Sequence, residues 1–369
     1  MSVRPVNFGI IGCGNISNAY FNATKKFDVL QVIACADIDL ARAEAKAKEH
    51  NVPRACSPEE LLADPEIEIV INLTIPNAHY SVCKAALEAG KHVHVEKPLS
   101  VTFEQGRELV ELATARGLRI GCAPDTFLGG GHQTCRKLID DGVIGEPIAA
   151  TAFMLCRGHE SWHPSPEFYY KAGGGPMFDM GPYYLTALVN MIGGIRRVSG
   201  ATRITFPERL ITSKPLDGTK IRVDVPTHVA GLLDFANGAV ATIVTSFDVY
   251  GAPTGAPITV FGTEGTIQVP DPNGFGGTVR VKTARTDWEE VALTHGYTEN
   301  ARGIGAADIA YAIQSGRPHR ASGGLGLHVL EAMHGFHVSS EADTHYRMTT
   351  TTDRPALLVA DLPAGKLDE

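Results

Sequence analysis

An apolar run, Val6–Ile11, breaks into Gly12-Cys13-Gly14-Asn15-Ile16-Ser17, and no other junction constrains the fold as much. Gly12 allows a tight strand-to-helix turn, and Gly14 lets backbone amides approach a pyrophosphate. Asn15 and Ile16 complete the loop. Ser17 stands where the GxGxxG pattern has its third glycine and is nearly small enough for the same close helix–strand packing. Asp37 ends the next apolar run, 23 residues after Gly14, a spacing that places a carboxylate on adenosine ribose hydroxyls. That carboxylate repels a 2′-phosphate, so the pattern favours NAD over NADP, with Arg42 as the neighbour that could reverse the preference. Taken alone, GxGxxG also describes a turn with no ligand, and Asp37 a plain helix cap. Strand, turn, helix and acid arriving in order decide for the dinucleotide.

The first third of the chain alternates strands (6–11, 30–36, 69–73, 92–96 and 119–123) with helical patterns (40–50, 79–89 and 103–116). Ser57 and Pro58 read as the cap and first turn of a further helix. This alternation predicts a doubly wound parallel sheet, a Rossmann-type α/β domain over residues 1–124. Beyond Pro124 the signals change. Strands over 227–235 and 239–245 flank Ala236-Asn237-Gly238, and strands over 256–262 and 266–270 flank Thr263-Glu264-Gly265, both hairpin patterns. Helices return over 303–315 and 326–340. Residues 125–369 therefore read as an α+β domain built on one large, mostly antiparallel sheet, with a tail from Thr349 that wraps the surface.

Glu96-Lys97-Pro98 follows a buried strand and sets a lysine at the sheet edge where the reactive end of a dinucleotide would lie. A lone lysine is ordinarily a solvated surface charge; a strand end beside a cofactor is the exception. With Gly9–Ile16, Asp37, Thr74-Ile75-Pro76-Asn77-Ala78-His79, Ala89–Pro98 and Gly173–Tyr183, the whole chain resembles the glucose–fructose oxidoreductase, inositol dehydrogenase and rhizopine-catabolism superfamily. The resemblance implies that Thr74, Pro76 and His79 line the nicotinamide side. It also implies that Glu96 and Lys97 border the cofactor, that Lys97 touches the substrate hydroxyl, and that Lys97–Pro98 is cis. Oxidising a secondary alcohol requires proton removal as well as hydride loss, and a buried ammonium stabilises the developing alkoxide and depresses nearby acids.

Asp179-Met180-Gly181-Pro182-Tyr183 carries tyrosine where most members have histidine, which resembles the branch containing glucose–fructose oxidoreductase and the dihydrodiol dehydrogenases. Spacing i, i+4 predicts one helical face for Asp179 and Tyr183, with Pro182 kinking the helix just before Tyr183. Tyr183 is the expected proton carrier, helped by Lys97, and Asp179 orients the lysine or the substrate; Tyr184 is the adjacent competitor. The bland alternative is a capping aspartate and a core tyrosine.

His159-Glu160-Ser161-Trp162-His163 matches HExxH, but zinc binding through that motif needs an unbroken helix. Gly158 on one side and Pro164-Ser165-Pro166 on the other oppose one, so no metal is expected. The polar, aromatic segment instead reads as a substrate loop. His159, Glu160, Trp162, His163 and Tyr169, with His228 from the later sheet, are candidates for holding a polyhydroxylated ring; each is otherwise an ordinary surface-loop residue.

The net charge of −8 argues against nucleic acid and anionic membranes as partners. No apolar stretch approaches the ~18 residues of a span. The N-terminus runs straight into a strand with no apolar leader, and the seven cysteines form no CxxC pair, so the expected compartment is the cytoplasm and the expected thiols are reduced. The combined expectation is an NAD-dependent oxidoreductase acting on a sugar, cyclitol or related polyol; the resemblance implies that residues 125–369 bind the substrate and pair into a homodimer or homotetramer. Two rivals are a glycosidase or lyase that recycles its NAD and a non-catalytic dinucleotide-binding regulator.

Overall fold

The structure, a computed structural model, describes residues 3–251 and 255–368. Met1, Ser2 and Glu369, the outermost ends of the two expected domains, lie outside the described residues.

Six strands, β1 (Val6–Ile11), β2 (Leu30–Ala36), β3 (Ala55–Cys56), β4 (Ile69–Asn72), β5 (His92–Val95) and β6 (Ile120–Cys122), form a parallel sheet in the order β3-β2-β1-β4-β5-β6. Strand order reverses between β1 and β4, and the crevice above the carboxyl ends at such a point is where open α/β sheets bind ligands. Near-continuous apolar strands suit a sheet covered on both faces: Val6, Phe8, Ile10, Ile69, Val70 and Ile71 are all fully buried. The helix Pro58–Ala63 opens with the expected cap, and more: Ser57 Oγ accepts from Glu60 N while Ser57 N donates back to Glu60 Oε2 at 2.9 Å, a capping box. The helix read from His79 starts earlier, at Pro76, whose ring pre-sets the first turn.

The later strands are β7 (Pro147–Leu155), β8 (Ile195–Arg203), β9 (Glu208–Leu210), β10 (Lys220–Arg222), β11 (His228–Phe235), β12 (Val240–Ser246), β13 (Ile258–Gly262), β14 (Gly265–Val269), β15 (Val279–Thr283), β16 (Glu289–Val291) and β17 (Tyr346–Arg347). Strands β9 and β10 make a two-stranded ribbon; the other nine form a mixed sheet in the order β16-β15-β14-β13-β7-β12-β11-β8-β17, antiparallel except where β7 meets β12. Both expected hairpins form. In the first, Gly238 takes φ +93° and Asn237 Oδ1 accepts from Ala239 N at 3.1 Å.

The two halves are interlocked. Helix Ile304–Ser315 packs on β4, β5 and β6, and helix Gly323–Ala342 lies between β8 of the large sheet and the helix Phe103–Ala115 of the first. The tail after β17 has no helix or strand and runs across the surface, as expected. Leu358 N donates to Gln133 Oε1 at 2.7 Å, and the Tyr297 hydroxyl donates to Lys366 O at 2.6 Å. Gly365, at φ +84°, lies so close to Lys26 that a Cβ there would sit 2.7 Å from the Lys26 carbonyl oxygen. Leu367 is fully buried. All seven cysteines are free, six of them buried. Among the described residues no helix is long and apolar enough to cross a membrane.

Candidate active site

The fingerprint loop has the shape a dinucleotide needs. Gly12 takes φ +102°, and a Cβ there would lie 2.7 Å from the Leu73 carbonyl, so only glycine fits between β1 and β4. Among the described residues nothing lies within 4 Å of a Cβ position at Gly14, which leaves space above the loop. Ser17 Oγ donates to Gly14 O at 2.7 Å, so the residue in the third-glycine position is buried and also braces the loop. Asp37 Oδ2 accepts from Cys13 N at 2.8 Å and Oδ1 from Asp39 N at 3.0 Å, which ties the acid to the loop. Arg42 approaches the same carboxylate at 3.4 Å and is half exposed. Open space over Gly14, amides at the start of the helix Ser17–Thr24 and a carboxylate at the end of β2 fit a dinucleotide with free ribose hydroxyls.

A cleft of about 550 Å³ continues from this loop. It is lined by Gly14, Asn15, Ile16, Thr74, Pro76, His79, Glu96 and Lys97 from the first half, and by His163, Tyr169, Asp179 and Tyr183 from the second. A wider groove past Ile148, Asn237 and Thr263 brings together none of these groups.

Lys97 is the centre of the cleft. Its peptide bond to Pro98 is cis, as the resemblance implied. Its Nζ donates to Asp179 Oδ1 at 2.8 Å and to Asp179 O at 2.6 Å, and lies 5.3 Å from the centre of the Tyr183 ring. Burial opposes the ammonium, but Asp179, Tyr183 and Glu96 outweigh it, so the Lys97 pKa is held above its ordinary value. Glu96 Oε2 accepts from Lys97 N at 3.0 Å. His79 spans two backbone carbonyls, Pro98 O at 2.6 Å and Thr74 O at 3.0 Å, and so fastens the cofactor-side turn to the Lys97–Pro98 peptide.

Asp179 and Tyr183 do not share one helix. The chain makes a helix over Gly175–Asp179, breaks at Met180, and starts another over Gly181–Ile192 with Pro182 in its first turn. The interruption falls earlier than a kink just before Tyr183, because proline starts a helix more readily than it continues one. Both side chains nevertheless reach Lys97. The expected depression of Tyr183 by Lys97 is overturned in net direction: burial raises the phenol pKa above 10, and the lowering by Lys97 and Arg302 only partly offsets it. Tyr184 is buried, is absent from the cleft wall, and has its pKa raised by burial.

The proposed substrate loop divides. Residues 159–163 form a turn, closed by His163 N to His159 O at 2.9 Å, and not a helix. His163 and Tyr169 line the cleft. His159 stands behind Tyr169, stacked on its ring at 3.8 Å and 9°. Glu160 accepts from Arg209 at 2.7 Å and from the Tyr170 hydroxyl, and Trp162 is exposed. His228 bonds Ser246 Oγ at 2.9 Å on β11, outside the cleft wall.

Two residues escaped the sequence reading. Tyr20 donates to Glu96 Oε1 at 2.9 Å, and Arg302, held by Asn273 Oδ1 at 2.8 Å, pulls down the Tyr183 pKa from the side opposite in sequence. Neither belongs to a motif; both sit in stretches that read only as helix or loop.

Residues 6–123 match the family described as "Oxidoreductase family, NAD-binding Rossmann fold", and residues 132–268 match the "GFO/IDH/MocA C-terminal domain". The chain belongs to the GFO/IDH/MocA oxidoreductase family. It is thus an oxidoreductase with the NAD-binding Rossmann fold of that family. Its relatives include an uncharacterized oxidoreductase of Schizosaccharomyces pombe, 29% identical over 242 residues (60% of this chain, 64% of that one). Another is trans-1,2-dihydrobenzene-1,2-diol dehydrogenase of Bos taurus, 28% identical over 270 residues (72% and 75%). The match to the yeast relative thus spans slightly less than two thirds of that protein's length. Among solved structures, levoglucosan dehydrogenase in complex with NADH superposes with a TM-score of 0.81 at 22% identity, covering 94% of this chain and all of that one.

Proposed function

We propose that this oxidoreductase uses NAD to interconvert hydroxyl and keto carbons of a sugar, cyclitol or related polyol. The convergence of Lys97, Asp179 and Tyr183 on one cleft that continues the fingerprint loop carries the reading. Bound NAD would supply the hydride acceptor. Lys97 polarises the substrate oxygen, its charge secured by Asp179. Tyr183 exchanges the substrate proton: with its pKa above 10 it is a ready acid for ketone reduction at neutral pH, and alcohol oxidation gains from alkaline pH. Tyr169 and His163 form the wall against which a ring would rest.

Support for NAD over NADP is Asp37, whose carboxylate is fixed by two backbone amides and repels a further negative group. The functional division falls near residue 124, between the fingerprint sheet and the part that supplies Asp179 and Tyr183. Seven unpaired cysteines favour the cytoplasm. A homo-oligomer is supported by the outer face of the nine-stranded sheet. Cross-strand neighbours Leu232, Thr242, Thr151 and Thr259 form one row there without charge; Val240, Ala149 and Phe261 belong to another that ends in the Asp234–Arg197 ion pair, and Leu232, Val240 and Phe261 are exposed.

The deciding experiment offers a panel of sugars, glycosides and cyclitols with NAD and follows absorbance of the reduced cofactor. Accumulating NADH with one of them is the expected result. Cleavage of a glycoside without NADH would favour a recycling glycosidase, and cofactor binding with no turnover a regulator.

A further inference from the structure

Asp179 has two carboxylate oxygens, and Lys97 uses one. Oδ1 is 2.8 Å from Lys97 Nζ, whereas Oδ2 points the other way, 3.9 Å from His159 Nε2. At 3.9 Å the imidazole is within ion-pair reach but beyond hydrogen-bond length, so Oδ2 is free to accept another donor. His159 is held firmly in that position. Tyr169 stacks on its face at 3.8 Å, and Phe247 meets it edge-on at 4.6 Å and 81°. The side chain is 10% exposed, and its Nδ1 has no hydrogen-bond partner among the described residues. A buried imidazole with neither nitrogen engaged in a hydrogen bond, aimed at a carboxylate that touches the central lysine, is more than filler.

We propose that His159 is a positioning residue that acts through Asp179, leaving Oδ2 to a substrate hydroxyl while the ring is neutral and withdrawing it when the ring is protonated. The proposal rests on the reading of Lys97, Asp179 and Tyr183 as the reaction centre. The charged and titratable groups around the ring fix the sign. Asp179 and Glu160 favour its protonation; Lys97 and His163 oppose it, and burial, the largest influence, opposes it too, so the ring is neutral at neutral pH. Glu160 is already committed to Arg209 and Tyr170, and Tyr170 also accepts from His159 N at 3.4 Å, which leaves Asp179 as the acid available to an imidazolium. When the pH falls, the imidazolium and Lys97 compete for one carboxylate. The substrate loses an acceptor, and KM rises before kcat falls.

Two measurements test this. The first needs no substrate: the His159 ring resonance, identified by its loss in His159→Gln, is titrated by NMR. Asp179→Asn should lower the His159 pKa and Lys97→Met should raise it. An unchanged pKa in Asp179→Asn, or a ring that never titrates before the protein unfolds, overturns the proposal without touching the functional reading. The second uses whichever substrate the panel identifies. The native protein should lose kcat/KM by about tenfold per pH unit below the His159 pKa, through KM, as a single ionisation requires. His159→Gln, whose amide cannot titrate, should lose that acid limb and show a KM independent of pH across the window; His159→Asn serves if the longer amide disturbs folding. The same acid limb in a folded His159→Gln or His159→Asn overturns the proposal.

Discussion

Tyr20 and Glu96 join the helix after the fingerprint loop to the strand end that carries Lys97: the Tyr20 hydroxyl donates to Glu96 Oε1 at 2.9 Å, while Oε2 of the same carboxylate accepts from Lys97 N at 3.0 Å. The helix that follows the glycine turn thereby holds the residue that precedes the lysine. Tyr20→Phe keeps the ring in its fully buried place and strips one oxygen of Glu96 of its partner. A buried acceptor left unpaired costs roughly 1–3 kcal/mol. The expected outcome is a loss of stability of that order in denaturant unfolding, accompanied by weaker NAD binding. Native stability in Tyr20→Phe would mean that the contact contributes nothing.

Asp37→Ser should weaken NAD and strengthen NADP, because the substitution removes the fixed charge and leaves Arg42 beside the ribose site. Isothermal titration of both cofactors against both proteins measures the switch. Unchanged preference would remove Asp37 from the discrimination.

Tyr183→Phe should lower turnover by about 10² to 10⁴, the usual worth of a positioned acid or base. Lys97→Met should cost at least as much, since electrostatic stabilisation of the oxygen goes with it. Tyr184→Phe is the control and should remain near native, because Tyr184 is not in the cleft wall. Steady-state rates on folded variants decide, and an active Tyr183→Phe beside an inactive Tyr184→Phe would transfer the proton role by one residue.

Burial pulls the pKa of His92, His94, His132, His328 and His337 down to about 4. Each has a folded pKa below the unfolded value of about 6.5, so between those limits the unfolded chain binds more protons. The stability is therefore complete above about pH 6.5 and is lost as the pH falls through about 4. Melting temperature should drop steadily over that window; a flat profile would show these rings to be solvated or paired.

Leu232→Arg places a bulky charge in the uncharged row of Leu232, Thr242, Thr151 and Thr259. Light scattering should report a change from oligomer to monomer with the fold retained by circular dichroism. A native protein already monomeric at micromolar concentration would refute the pairing of these faces.

Much of this site is legible in the chain itself. Val6 to Asp37 announces the cofactor loop because each position there answers a backbone demand that few residue types meet, Gly12 above all. Lys97 is legible for a similar reason, as a charge at the end of a buried strand. The break at Met180 is harder to read, since proline within a helix pattern can kink a helix or start a new one, and local sequence alone does not choose. Glu160 and His159 are adjacent and equally polar, yet Arg209 takes the first into a structural ion pair and Asp179 faces the second. That separation depends on partners 49 residues downstream for one and 20 for the other. Tyr20 and Arg302 are further cases, each useful through one side chain that arrives from a distant segment.

The tail has a mechanical meaning. It leaves β17 in the second half, bonds to Gln133, and ends with Gly365 against the Lys26 carbonyl at the foot of the first helix. A chain that returns to its own beginning fastens the two halves to each other through residues that take no part in the cleft wall, like a clasp across the spine of a book. Swinging the halves apart must first peel that clasp and expose Leu367, so cofactor and substrate exchange is expected to proceed through the cleft itself, past His163 and the glycines at 173 and 174 in its wall. The molecule is built to keep its spine shut and to trade its cargo at the page edge.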